Sequence, residues 1–167
     1  MAFPFVLSLA VCTRFTASGP WAADSTAAAF LTLAHGNTAI AKIKGPAIFL
    51  AADAEKVAHF AAWIKDNENA AKLAKVDFAT HLVVAVFAGV RPSSGYGITV
   101  KRVESSNGSV TVTTALSGPS SGQAVTDVIS FPYHVIAVPY TAVANKPKTV
   151  WRVITDAGVE VVRTMTP

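Results

Sequence analysis

The chain has 167 residues, of which 51% are hydrophobic and only 14% charged. That balance gives one domain with a core of its own and excludes a disordered chain. The net charge of +4 is spread over scattered positions, Lys42, Lys44, Lys101, Arg102, Lys146 and Lys148 among them, so no basic block points to nucleic acid. The single cysteine, Cys12, excludes an internal disulfide and a cysteine-built metal site.

Near its start the chain has an apolar run, Phe3 to Val11, broken only by Ser8 and too short to span a bilayer. It reads as the apolar region of a signal peptide covering residues 1–23, with Thr16-Ala17-Ser18 as the best small-x-small triplet. On this reading the protein is exported: periplasmic, extracellular or on the cell surface. The alternative is an N-terminal strand or buried anchor belonging to the mature fold; a membrane is contacted only through this segment, if it is uncleaved or lipidated. Leu9-Ala10-Val11-Cys12 approaches a lipoprotein box but carries Val11 where a small residue is required.

Residues 27–167 read as one domain. Phe30 to Leu33 is a short strand candidate ending at a turn, His35-Gly36-Asn37; Thr38 to Ile43 and Ala47 to Ala51 follow, separated by Gly45-Pro46. Asp53 is a good N-cap, and Val57, Phe60, Ala61 and Ile64 fall on one stripe, which predicts the main helix over about 54–66. Ala70 to Lys75 can add a further turn. Leu82 to Phe87 is apolar without alternation, the pattern of a strand covered on both faces.

Gly97 to Val103 and Ser109 to Leu116 form a hairpin about Asn107-Gly108, a dipeptide that tolerates the positive φ of a tight turn. Ala124 to Phe131 and Tyr133 to Val138 read as two strands hinged at Pro132, which cannot donate to a ladder. Val150 to Ile154 and Val159 to Thr164 make a last hairpin around Asp156-Ala157-Gly158. The expected fold is α+β: a mostly antiparallel sheet curved into a barrel or a sandwich, with one main helix packed on it.

No catalytic constellation emerges. Gly118-Pro119-Ser120-Ser121-Gly122 fits the G-x-S-x-G pattern, but that nucleophile elbow needs a strand before it and a helix after it, and a strand is predicted on both sides. His35, His59, His81 and His134 lack the spacing of metal ligands, and Asp77, Asp127 and Asp156 form no local pair. No metal, no cofactor and no enzymatic activity is expected. Asn107-Gly108-Ser109 is also a glycosylation sequon, relevant only in a eukaryotic secretory route.

One stretch stands out. Val76 to Phe78, an apolar strand, Ala88 to Val100 (AGVRPSSGYGITV), a hairpin, a variable loop and then Ile129 to Val138 (ISFPYHVIAV) resemble the C-terminal domain of PrcB-type protease-complex proteins. That family has a strand followed by Gly-x-x-Pro-small-Gly-Gly-Tyr and, later, a Pro-Tyr-His motif leading into a strand. The matching residues are Gly89, Pro92, Gly95 and Tyr96, then Pro132, Tyr133 and His134; Ser94 replaces the first glycine of the pair and Phe131 stands where a small or polar residue is usual. The resemblance is strongest over 76–138. It implies a non-catalytic partner that stabilises or helps process an extracellular protease.

The Arg91-Pro92-Ser93-Ser94-Gly95-Tyr96 loop then has two readings. Either it merely shapes the connection, or it projects from a rigid sheet with Tyr96 as an interface anchor and Arg91 as a charge-assisted contact. The same loop resembles the Asn-Pro-Thr-Thr-Gly-Tyr/Phe loop of chagasin-type cysteine-protease inhibitors, with Arg91 in place of the asparagine and no Arg-Pro-Trp third loop. A direct inhibitor is the second expectation. A small-ligand barrel and a structural interaction module are the others.

Overall fold

Leu82 to Phe87 explains the architecture, because its side chains enter two separate cores. In a computed structural model that describes residues 25–38, 43–64, 67–143 and 147–166, this run is strand β4 (His81–Phe87). Leu82, Val84 and Val86 join one apolar cluster, and Val83, Ala85 and Phe87 join another on the opposite face. A strand apolar on both faces needs a layer on each side. Here one layer is a second sheet and the other is helical.

The four-stranded sheet runs β2 (Leu31–Thr38), β7 (Phe131–Pro139), β4, β3 (Ala47–Ala51), all antiparallel. Helix α1 (Ala54–Ile64) covers its outer face. Asp53 caps this helix as expected, its carboxylate accepting from the Lys56 amide at 2.8 Å. Val57, Phe60 and Ile64 are buried, and a second helix, α2 (Asn67–Leu73), adds Leu73 to the same cluster. The expected single helix to residue 66 is therefore two, and residues 65–66 lie outside the described residues.

The five-stranded sheet runs β1 (Thr26–Ala28), β5 (Gly97–Ser106), β6 (Ser109–Ser117), β8 (Val150–Thr155), β9 (Glu160–Met165). Its pairs are antiparallel except β6–β8, which is parallel. Val103, Val110, Val112, Trp151 and Val153 fill the space against Leu82, Val84, Val86, Ile136 and Val138. Asn107 and Gly108 turn the β5–β6 hairpin with φ of 46° and 76°, as predicted. The two sheets form a sandwich, and no closed barrel is present among the described residues. No described helix is long and apolar enough to cross a membrane.

Three expectations change. His35, Gly36 and Asn37 are no turn: they continue β2 and pair with His134, Tyr133 and Pro132. Gly36 makes room for an aromatic ring, since a Cβ there would lie 3.3 Å from Tyr133 Oη. Residues 124–129 form no strand, and only Ser130 makes an isolated bridge, to Arg91. The bonds of this segment go to the 91–96 loop, described below. Pro132 is no hinge but the second residue of β7. The proposed leader 1–23 with Cys12, and most of the Thr38 to Ile43 strand, lie outside the described residues.

Candidate partner-binding loop

β4 leaves the sheet at Ala88, and a glycine is needed immediately. Gly89 has φ of +77°, and a Cβ on it would stand 2.6 Å from the Gly45 carbonyl carbon. Backbone cannot yield as a side-chain tip can, so the chain passes here only without a side chain.

Pro132 creates the next requirement. The Ala88 amide donates to the Pro132 carbonyl at 2.9 Å, but Pro132 has no N–H to return the bond. Arg91 supplies it: its Nη2 donates to the Ala88 carbonyl at 3.0 Å. The Arg91 backbone exchanges both bonds with Ser130, at 2.8 and 3.0 Å. Its guanidinium carbon lies 5.9 Å from the centre of the Tyr96 ring, within cation–π range. Its Nε is buried with no hydrogen-bond partner among the described residues. Arg91 thus braces the exit of β4 against Ser130, the residue before β7.

The remaining loop residues are tied to the segment 119–130. The Ser130 hydroxyl donates to the carbonyl of buried Ser93 at 2.6 Å. Ser94 and Thr126 bond reciprocally: the Ser94 amide donates to the Thr126 carbonyl, and the Thr126 amide to Ser94 Oγ, both at 3.2 Å. A Cβ on Gly95 would meet Val125 Cγ1 at 2.6 Å and Pro119 Cβ at 2.8 Å, so this glycine lets the two loops touch. Asn37 Nδ2 donates to the Tyr96 carbonyl at 3.0 Å, and the half-buried Tyr96 ring lies against Gly118. Pro92 is exposed at the outer bend. Outside this double loop stand three exposed apolar side chains: Val90 (42% exposed), Val128 (53%) and Ile129 (58%). In the antiparallel Arg91–Ser130 bridge, Pro92 stands opposite Ile129.

The Pro-Tyr-His residues act inside the fold. Successive strand residues point to opposite faces, so Tyr133 enters the helix-side cluster while His134 faces the second sheet. His134 Nδ1 accepts from the Val100 amide at 2.7 Å, beside a β5 bulge that displaces Lys101 from the ladder. A ring nitrogen that accepts carries no proton, so Nε2 holds it and donates to Thr32 Oγ1 at 3.0 Å, beside a second bulge in β2. Burial, and secondarily the nearby His35, lowers the His134 pKa to about 4. The ring is a neutral tie between the sheets with both nitrogens engaged.

Other sequence candidates stay apart. Ser120 sits in an exposed loop with no helix after it, closed by a bond from its amide to Gln123 Oε1. His59 is exposed on α1, and Nδ1 of His81 lies 2.8 Å from the Thr80 hydroxyl. Asp77 caps a turn: the Thr80 hydroxyl and the Ala79 amide bond its carboxylate and lower its pKa. Among the described residues no three of His, Cys, Asp and Glu come together to hold a metal. A cavity of about 370 Å³ opens between β2 and α2, away from the loop, lined by Leu31, Leu33, Lys75, Val76 and His81 among others. Val125, Thr126 and Ser130 carry the loop's support and gave no local signal in the sequence.

A family model described as PrcB C-terminal matches residues 82–139, from β4 through the loop and the β5–β6 hairpin to the end of β7. No curated protein and no solved structure gives a match.

Proposed function

Because a PrcB C-terminal family model matches residues 82–139, we propose that this chain is a protein-binding module that associates with an extracellular protease and does no chemistry itself. The face it uses is the double loop of residues 90–96 and 124–130. The observation that carries this reading is that Val90, Val128 and Ile129 are exposed apolar side chains on a loop pair whose inner residues are tied by hydrogen bonds. A loop pair already held in place loses little entropy on docking, so more of its contact energy appears as affinity. Arg91 and Tyr96 then serve mainly as its frame, with their outer edges available to the partner.

The test uses the tagged full chain as bait in its native secretion medium, with captured material assayed for proteolysis. A protease retained by the unaltered chain, and released by Val128→Asp with Ile129→Asp at unchanged melting temperature, supports the reading. Equal retention by the double variant removes the loop as the contact. Export itself is checked by N-terminal sequencing of the mature protein.

A direct inhibitor is the second reading, favoured by one observation: the Tyr96 ring on Gly118 sets the 91–97 and 117–123 loops side by side. Titration of papain with the purified chain decides it. Stoichiometric loss of activity supports an inhibitor, and full activity at tenfold molar excess eliminates it.

A further inference from the structure

The outer face of the five-stranded sheet holds an arrangement that the loop reading does not use. Arg152 on β8 stands directly opposite Arg163 on β9. Both point to the solvent side, because the neighbours Trp151 and Val153 turn into the core. Like charges directly opposite each other on adjacent strands destabilise a sheet, so a neutral or acidic residue at either position would favour the fold.

Each guanidinium is held through Nε. Arg152 Nε donates to Thr111 Oγ1 of β6 at 3.1 Å, and Arg163 Nε to Glu160 Oε1 at 2.7 Å. Each Nε is engaged, that of Arg163 in an exposed ion pair with Glu160, which leaves the terminal NH2 groups to receive a carboxylate in bidentate fashion. Arg102 on β5 adds a third guanidinium to the face, 3.2 Å from Glu104. Met165, 63% exposed, flanks the pair on β9, and Arg and Met are residue types enriched where proteins meet. Among the described residues the helices lie on the other sheet and none covers this face.

We propose that this face docks an acidic stretch of polypeptide, with a carboxylate bridging Arg152 and Arg163. Charge complementarity selects the partner: two adjacent guanidinium groups with an apolar neighbour suit a glutamate- or aspartate-rich segment.

The probe is a fluorescein-labelled deca-glutamate peptide, titrated with the full chain and read by anisotropy at low and at physiological ionic strength. Saturable binding that weakens with salt is expected. Arg152→Gln and Arg163→Gln should each weaken it about tenfold or more. The charge-matched control Lys56→Gln, on α1, should leave it unchanged. Arg152→Gln should at the same time keep or slightly raise the melting temperature, which a purely structural arginine would not do. No saturable binding at low salt, or equal loss with Lys56→Gln, overturns the proposal. So does tighter binding of a ten-nucleotide single-stranded RNA through the same two arginines, which would make the face a nucleic-acid surface instead.

Discussion

The four-stranded sheet is apolar on both faces, whereas the five-stranded sheet is apolar on one and wet on the other. In the first, β4 and β7 are buried almost end to end between the second sheet and the helices. In the second, β5 and β6 alternate, with Val100, Val103, Val110 and Val112 inward and Thr99, Lys101, Arg102 and Thr111 outward. The residues of the two motifs follow the same division. Tyr133 and His134 use the two faces of β7, and Gly89 to Tyr96 brace the point where β4 leaves it. A sheet covered on both sides can fix a loop at its end firmly; a sheet with one open face can offer that face itself.

The largest way to break this contrast is to empty the doubly covered layer. Phe87 is buried among Phe49, Trp63 and Tyr133. Phe87→Ala should cost about 3–5 kcal/mol in urea unfolding, while Thr99→Ala on the open face should stay within about 0.5 kcal/mol. Similar losses at both sites would show that the two layers do not differ in this way.

The tie between the sheets should respond to pH. Folded, His134 titrates near 4; unfolded, it returns to about 6.5, so the unfolded chain binds the proton more readily. Its contribution is full above about pH 6.5 and declines as pH falls toward 4, by at most about 3 kcal/mol. Urea midpoints across that window should fall with acidity, and His134→Phe should flatten the dependence. A slope preserved in the variant would assign it to other groups.

Gly89→Ala should cost about 2 kcal/mol from positive φ and the contact with Gly45, read as a lowered thermal midpoint. Smaller and more diagnostic is the Arg91–Pro132 pair. Arg91→Ala leaves the Ala88 carbonyl without its donor and should cost about 1–2 kcal/mol. In a Pro132→Ala background a backbone N–H becomes available to that carbonyl, so the same change should cost clearly less. Additivity in this double-mutant cycle would refute the substitution of a side chain for the missing amide.

Local signals were readable from the chain. The Asp53 cap, the Asn107-Gly108 turn, the unbroken apolar run of β4 and the final hairpin each depend on residues within a few positions, and the structure has each of them. What was not readable depends on distant partners. Gly36 looks like a turn until Tyr133 is placed over it, and residues 124–129 look like a strand until Gly95 and Ser94 take their contacts. The loop's hallmark pattern was visible, but its bracing was not, because the Ser130 hydroxyl that holds Ser93 comes 37 residues later. Arg91 read as a contact for a partner, and its bond to Ala88 follows only from where Pro132 sits.

The parallel pairing of β6 with β8 has a consequence for the order of assembly. Between these strands the chain crosses into the other sheet as β7 and returns, so β8 pairs with β6 only across that whole excursion. Closing that long excursion is slow in entropic terms. Until it closes, β6 presents an open edge of Val110, Val112 and threonines, the kind of strand that pairs with a second copy. Chains halted before Val150 should therefore self-associate through β6, and the β8–β9 hairpin serves the molecule as its own edge guard.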